Sequence, residues 1–171
     1  FIATPVKYFS VTDNFKQVEE IFEEIAKHGK TPEDAVAWDY ESNHLHGERE
    51  GAKFLTISFS WAHATGVTIP IEHREHPWSP EHLAQIKQYM KEFLEAPIYK
   101  VGHNIAFDVR ETKLLISPKI QPQKILDTKV AFFIAISQAQ AEAFGLKTLA
   151  YQFTDMGNYE APLNEYKDWF K

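Results

Sequence analysis

Apolar positions recur along the chain with two periods, and the switches between them mark out the elements. Val6 to Val11 alternates enough to be a short strand. Phe15, Val18, Ile21, Phe22 and Ile25 then fall at helical spacing, with Glu19, Glu20, Glu23 and Glu24 opposite. Thr12 or Asp13 can cap this helix, which should end near His28-Gly29. Ala35 to Trp38 is a mostly apolar strand running into Asp39-Tyr40-Glu41. Lys53 to Trp61 and Gly66 to Ile71 read as two more strands, and the short link Ala62 to Thr65 makes them an antiparallel hairpin. Ser79-Pro80-Glu81 opens a helix that runs to about Glu95 and buries Leu83, Ile86, Met90, Phe93 and Leu94. Further on, Ile98 to Val101 is a strand, Asn104 to Leu115 a helix and Lys124 to Leu126 a strand. Thr128 to Ser137 is another helix, and Gly145 to Phe153 begins a last one.

Three strands as an antiparallel set, followed by alternating helices and strands, predict an α/β fold: a mixed sheet flanked by helices. In such sheets, sites form beyond the carboxyl ends of the parallel strands. A length of 171 residues suits one domain with a full core. The first residue is Phe1 rather than Met, so the expectation is a piece of a longer protein.

Composition narrows the chemistry. There is no cysteine, which excludes disulfides, thiol nucleophiles and cysteine-ligated metals. No apolar run approaches a membrane span, and no signal-peptide pattern opens the chain, which fits a cytoplasmic protein. The net charge of −6 argues against broad electrostatic capture of nucleic acid. Residues 86–130 nevertheless hold 8 basic against 5 acidic side chains, a local balance that suits a polyanion held near metals or simply a lysine-solvated helix face. His73, His76 and His82 lack a recognised zinc-ligand spacing.

Two acidic stations stand out. On a strand, the period of two places Asp39 and Glu41 on one face. Carboxylates crowded at a strand end repel one another and resist desolvation, an objection that a hard divalent cation removes. The second station is Gly102-His103-Asn104-Ile105-Ala106-Phe107-Asp108. There a strand stops at a glycine, Asn104 is placed to cap the next helix, and Asp108 follows one turn later on the same face. From that position Asp108 points back toward Asp39 and Glu41.

Here the chain resembles the DEDD 3′–5′ exonucleases of ribonuclease H-like fold, and most of all the proofreading domain of family A DNA polymerases. Asp39-Tyr40-Glu41 is similar to the family's first motif, Gly102 to Asp108 to its second, and Ile125-Leu126-Asp127-Thr128 to the strand and helix start that follow. The stretch from Gly145-Leu146-Lys147-Thr148-Leu149-Ala150 to Tyr159 and Tyr166 resembles the phage branch. The resemblance implies that Asp39, Glu41 and Asp108 are catalytic metal ligands, that Asn104 helps hold substrate, and that Leu45 is an apolar wedge between terminal bases. It also leaves Phe107 open as a stacking residue or a core aromatic. Two Mg²⁺ or Mn²⁺ ions, about 4 Å apart, would bind the scissile phosphate. The third motif, Tyr-x-x-x-Asp, is matched literally by Tyr151 and Asp155, but at a place where the family has a Leu-Ala helix.

The implied protein is a proofreading exonuclease domain acting on a single-stranded DNA 3′ end, with a polymerase domain C-terminal to it in the same parent chain. On that reading this segment stops before the third motif and has little activity alone. Two alternatives stand beside it: an RNA-processing 3′–5′ exonuclease of the same superfamily, and a non-enzymatic nucleic-acid-binding domain that keeps the fold.

Overall fold

The computed structural model describes residues 7–11, 14–76, 78–136 and 144–157. The chain divides into two compact units, Val6–Thr128 and a second made of Phe1–Pro5 with Lys129–Lys171.

The first unit is built on a six-stranded mixed sheet. Its elements in chain order are β1 (Lys7–Ser10), α1 (Phe15–Ile25), β2 (Val36–Ser42), β3 (Phe54–Ser60), β4 (Thr65–Pro70), α2 (Pro80–Glu95), β5 (Lys100–Gly102), α3 (Ala106–Leu115) and β6 (Ile125–Asp127). The spatial order is β1-β4-β3-β2-β5-β6. β2, β3 and β4 form the expected antiparallel set, with Asp39 opposite Ser58 and Ser58 opposite Thr68. β1 joins β4 in parallel, while β5 joins β2 and β6 joins β5 in parallel.

One core cluster holds this unit together. Val18, Ile21, Phe22 and Ile25 of α1 are buried, as are Ile86, Met90, Phe93 and Leu94 of α2, which is the set that the helical spacing picks out. Each such side chain contributes about 1.5–3 kcal/mol on burial. The Phe59 ring of β3 meets Phe22 and Phe93 edge-on, at 5.4 and 5.1 Å between centroids, so α1 and α2 pack on the same part of the sheet. The α1 cap differs from expectation: Asn14 holds the N-cap, its Oδ1 accepting from the Gln17 N–H at 3.4 Å. Thr12 and Asp13 lie outside the described residues.

A buried lysine fastens the start of β5. Lys100 is 0% exposed, and its Nζ donates to the carbonyls of Ala96, Ile98 and Gln123 at 2.7, 2.9 and 3.1 Å. The chain leaving α2 and the chain entering β6 are thereby tied to one ammonium group. Burial, and then the charge of Lys124, lower its pKa to about 8.

α4 (Thr128–Ile136) begins on the last residue of the first unit, and the second unit holds the rest of it and α5 (Leu146–Phe153). Phe132 and Phe133 pack edge-on against Phe144, and Phe132 also against Phe153, each at 5.4–5.6 Å. Ser137, where the α4 expectation ends, lies outside the described residues.

Candidate active site

β2 alternates strictly. Val36, Trp38 and Tyr40 are buried, and Asp39 and Glu41 are exposed. The core side fixes this register: Trp38 meets Tyr40 edge-on at 4.9 Å, and Tyr40 stacks on Phe54 at 4.1 Å. A shift by one residue would bury both carboxylates and expose three large side chains. Asp39 and Glu41 therefore share one face, as the period of two requires.

β5 pairs with β2 only at Val36 and Ala37 and then stops at Gly102. Beyond that point α3 comes close to β2. Gly102 permits the approach, since a Cβ there would run into Ile105 Cδ1 and lie 3.3 Å from the Trp38 carbonyl oxygen. Asp108, in the first turn of α3, is 4% exposed. The backbone N–H of Tyr40 lowers the pKa of both the Asp39 and the Asp108 carboxyls, so the two converge on one peptide group.

The electrostatics follow from that convergence. Burial first, and the negative charge of Asp39 second, push Asp108 up from 3.8 to about 7, with Asp127 adding a smaller push. Asp39 is raised too, by desolvation first and then by Glu41. Beneath them the Tyr40 hydroxyl is buried without a hydrogen bond, near Thr112 and the Asp108 charge, and is raised above the usual phenol range. Among the described residues, Asp39, Glu41 and Asp108 form no ion pair with a lysine or arginine.

Mutually repelling, oxygen-only donors without a protein cation fit a hard divalent ion. They do not yet close around one point. Among the described residues no group of three or more histidine, aspartate or glutamate side chains is gathered to hold a metal. The interactions are pairwise, Glu41 with Asp39 and Asp39 with Asp108.

The expected substrate residues lie in the loop after β2 and at the start of α3. Leu45 is 76% exposed in the loop between β2 and β3, and Phe107 is half-buried at the start of α3. Asn104 is exposed and sits at a φ of 59°, in the left-handed region. It does not cap α3, contrary to expectation. The helix start carries no side-chain cap of its own, and Asp127 supplies the acceptor from β6. Tyr151 lies in the last turn of α5, which ends at Phe153, and Thr154 is extended, so Asp155 does not follow Tyr151 one helical turn along. Arg110 joins the same segments: its Nη2 reaches the Leu45 carbonyl oxygen at 3.4 Å and its Cζ lies 5.3 Å from the Phe107 ring centre. In the sequence it shows only as an arginine two positions after Asp108, with no acidic partner four residues away.

A mixed sheet of this order, with Asp39 and Asp108 brought to the Tyr40 peptide N–H beyond the end of β5, is that of a ribonuclease H-like exonuclease fold. The family model described as 3′–5′ exonuclease matches residues 8–167, and the chain belongs to that family. No curated protein sequence matches it. Among solved structures it is similar to Brucella melitensis NrnC with bound Mg²⁺, at 18% identity and a TM-score of 0.56, over 91% of this chain and 64% of that one. It is likewise similar to Escherichia coli RNase D, described as an exoribonuclease involved in structured RNA processing, at 17% identity and a TM-score of 0.59, over 86% of this chain and 33% of that one. The catalytic core of RRP6 from Trypanosoma brucei gives 14% identity and a TM-score of 0.62, over 90% and 38%. At these identities the likeness shows the fold. The chain spans less than two thirds of the length of each of these proteins. Among the described residues, no helix is long and apolar enough to cross a membrane.

Proposed function

We propose that this chain is a divalent-metal-dependent 3′–5′ exonuclease acting on single-stranded ends. The observation that carries the reading is Asp108, a carboxyl buried beside Asp39 with its pKa raised to about 7 and no protein cation paired with it. Such an arrangement costs stability unless a cation is bound there. Asp39, Glu41 and Asp108 would hold Mg²⁺ or Mn²⁺. When bound, the metal supplies an activated water and neutralises charge on the phosphate oxygens. The chain's own residues do the rest. Leu45 and Phe107 offer apolar surface to the terminal bases, Asn104 offers an amide beside them, and Asp127 fixes the backbone that carries Asn104.

For the substrate, the solved neighbours favour RNA processing over proofreading. RNase D is described as an exoribonuclease, and NrnC is also known in a form bound to pGG. The proofreading reading, with a polymerase domain in the same parent chain, keeps the support of the motifs at Gly102–Asp108 and Ile125–Thr128. The test is shortening of 5′-labelled DNA and RNA strands of one sequence, with Mg²⁺, Mn²⁺ or chelator. Stepwise shortening from the 3′ end that stops in chelator supports the reading, and faster loss of RNA selects the processing enzyme. Binding without shortening in any metal would leave a non-enzymatic nucleic-acid-binding domain instead.

A further inference from the structure

Arg110 is tied on three sides. Its Nε and Nη2 donate to Glu111 Oε1 at 2.9 and 2.7 Å, Nη2 also reaches the Leu45 carbonyl oxygen at 3.4 Å, and the guanidinium lies over the Phe107 ring. Its side chain is nevertheless 52% exposed. Glu111 is fully buried, and its Oε2 has no hydrogen-bond partner. That oxygen faces the β2–β3 loop at Gly47, where a Cβ would run into it. Burying a carboxylate with one oxygen unsatisfied is costly. An arginine needed only for solubility requires no such anchor. What the arrangement produces is a planar cation of fixed orientation, between exposed Leu45 and half-buried Phe107. Among the described residues its Nη1 has no partner. Arginine is the side chain best suited to phosphate oxygens, and here the rotamer entropy of binding is already spent.

We propose that Arg110 is a substrate-binding residue whose Nη1 meets a backbone phosphate of the strand that lies against Leu45 and Phe107. The proposal rests on the exonuclease reading above. It differs from a purely structural role, in which Arg110 only holds the Leu45 loop to α3, by adding one ionic contact with the strand.

That contact is read from the salt dependence of binding. Fluorescein-labelled deoxythymidine and uridine decamers are titrated in Mg²⁺ from about 50 to about 200 mM salt, with Asp108→Asn in every arm to halt turnover, and the more tightly bound of the two carries the comparison. Arg110→Gln should weaken binding about tenfold at the lowest salt and flatten the slope of log K against log salt by about 0.7, one single-strand phosphate contact. Arg110→Lys should keep the slope while losing part of the affinity, because it keeps the charge and loses the fork. Leu45→Ala should lose affinity at unchanged slope. An unchanged slope in Arg110→Gln overturns the proposal even if affinity falls. If that variant does not fold, Arg110→Met, which keeps the stem on Phe107, carries the same comparison. If the chain without Arg110 changes binds no strand at any salt and the unsubstituted chain hydrolyses none, the exonuclease reading falls with the proposal. If it binds and hydrolyses while the slope is insensitive to Arg110, only the proposal falls.

Discussion

Asp127 accepts the backbone N–H of Asn104 on Oδ1 at 3.0 Å and, with its other oxygen, the N–H of the next residue at 3.0 Å. The end of β6 thus holds the start of α3, and with it the unusual backbone angle at Asn104. Asp127→Ala leaves two N–H groups at a helix start without their acceptor. It should lose about 1–3 kcal/mol in urea unfolding. It should also weaken strand binding, because Asn104 is then free to leave its left-handed conformation. Full stability in Asp127→Ala would show that solvent replaces the carboxylate there.

Asp108 makes stability depend on pH in the direction opposite to an ion-paired aspartate. Its folded pKa, about 7, lies above the ordinary 3.8, so between those values the folded chain binds more protons than the unfolded one. Stability should therefore fall as pH rises from about 4 to about 7, with the cost absent below that window and fully present above it. At 1.36 kcal/mol per pH unit, the cost is at most about 4 kcal/mol. Raised Asp39 acts in the same direction. Melting in chelator across this range should show the fall, and Asp108→Asn should flatten it. A metal-free profile for Asp108→Asn that matches the parent would place the titration elsewhere.

The same carboxyl should be indispensable to hydrolysis. Asp108→Ala should lower the rate by at least about a hundredfold, as for loss of a group that stabilises charge in the transition state. The metal-free protein should be no less stable than the parent, because a crowded negative charge has been removed. A loss of several kcal/mol would make the Asp108 carboxyl a structural partner of the Tyr40 N–H instead.

Leu45 offers a test in which folding and binding separate. At 76% exposure its truncation should change stability by less than about 0.5 kcal/mol. A base contact is worth about 1–3 kcal/mol. Paired melting and strand titration of Leu45→Ala should show an affinity loss without a matching drop in melting temperature.

The parts of this site legible from sequence are those set by local periodicity. The alternation Trp38-Asp39-Tyr40-Glu41 fixes a face, and a strand that stops at Gly102 before a helical run puts Asp108 in the first turn of α3. What stayed hidden depends on contacts distant in sequence or on exceptions to patterning. The α3 start is capped from 23 residues away, so no local signal could assign it to Asp127 rather than Asn104. Lys100 reads as a polar strand end, yet three carbonyls draw it into the interior. Arg110 and Glu111 are adjacent on a helix, where neighbours do not normally face each other. Their pairing is visible only once the loop at Gly47 closes over Glu111.

The last prediction concerns Tyr151 and Asp155, which match Tyr-x-x-x-Asp in sequence. On a continuous helix that spacing puts tyrosine and aspartate on one face, where the hydroxyl can orient water beside a ligand carboxylate. Here the helix stops between them. The Thr154 hydroxyl donates back to the Ala150 carbonyl at 2.6 Å and accepts the Met156 N–H at 3.2 Å, closing a turn at the end of α5. Tyr151 is 68% exposed. Neither residue has the shared helical face that the chemistry needs. Tyr151→Phe and Asp155→Ala, singly and together, should therefore leave Mn²⁺-dependent shortening of a labelled strand unchanged, under conditions in which Asp108→Ala abolishes it. A loss of activity in Asp155→Ala comparable to that in Asp108→Ala, with the melting temperature retained, would establish the pair as the missing motif.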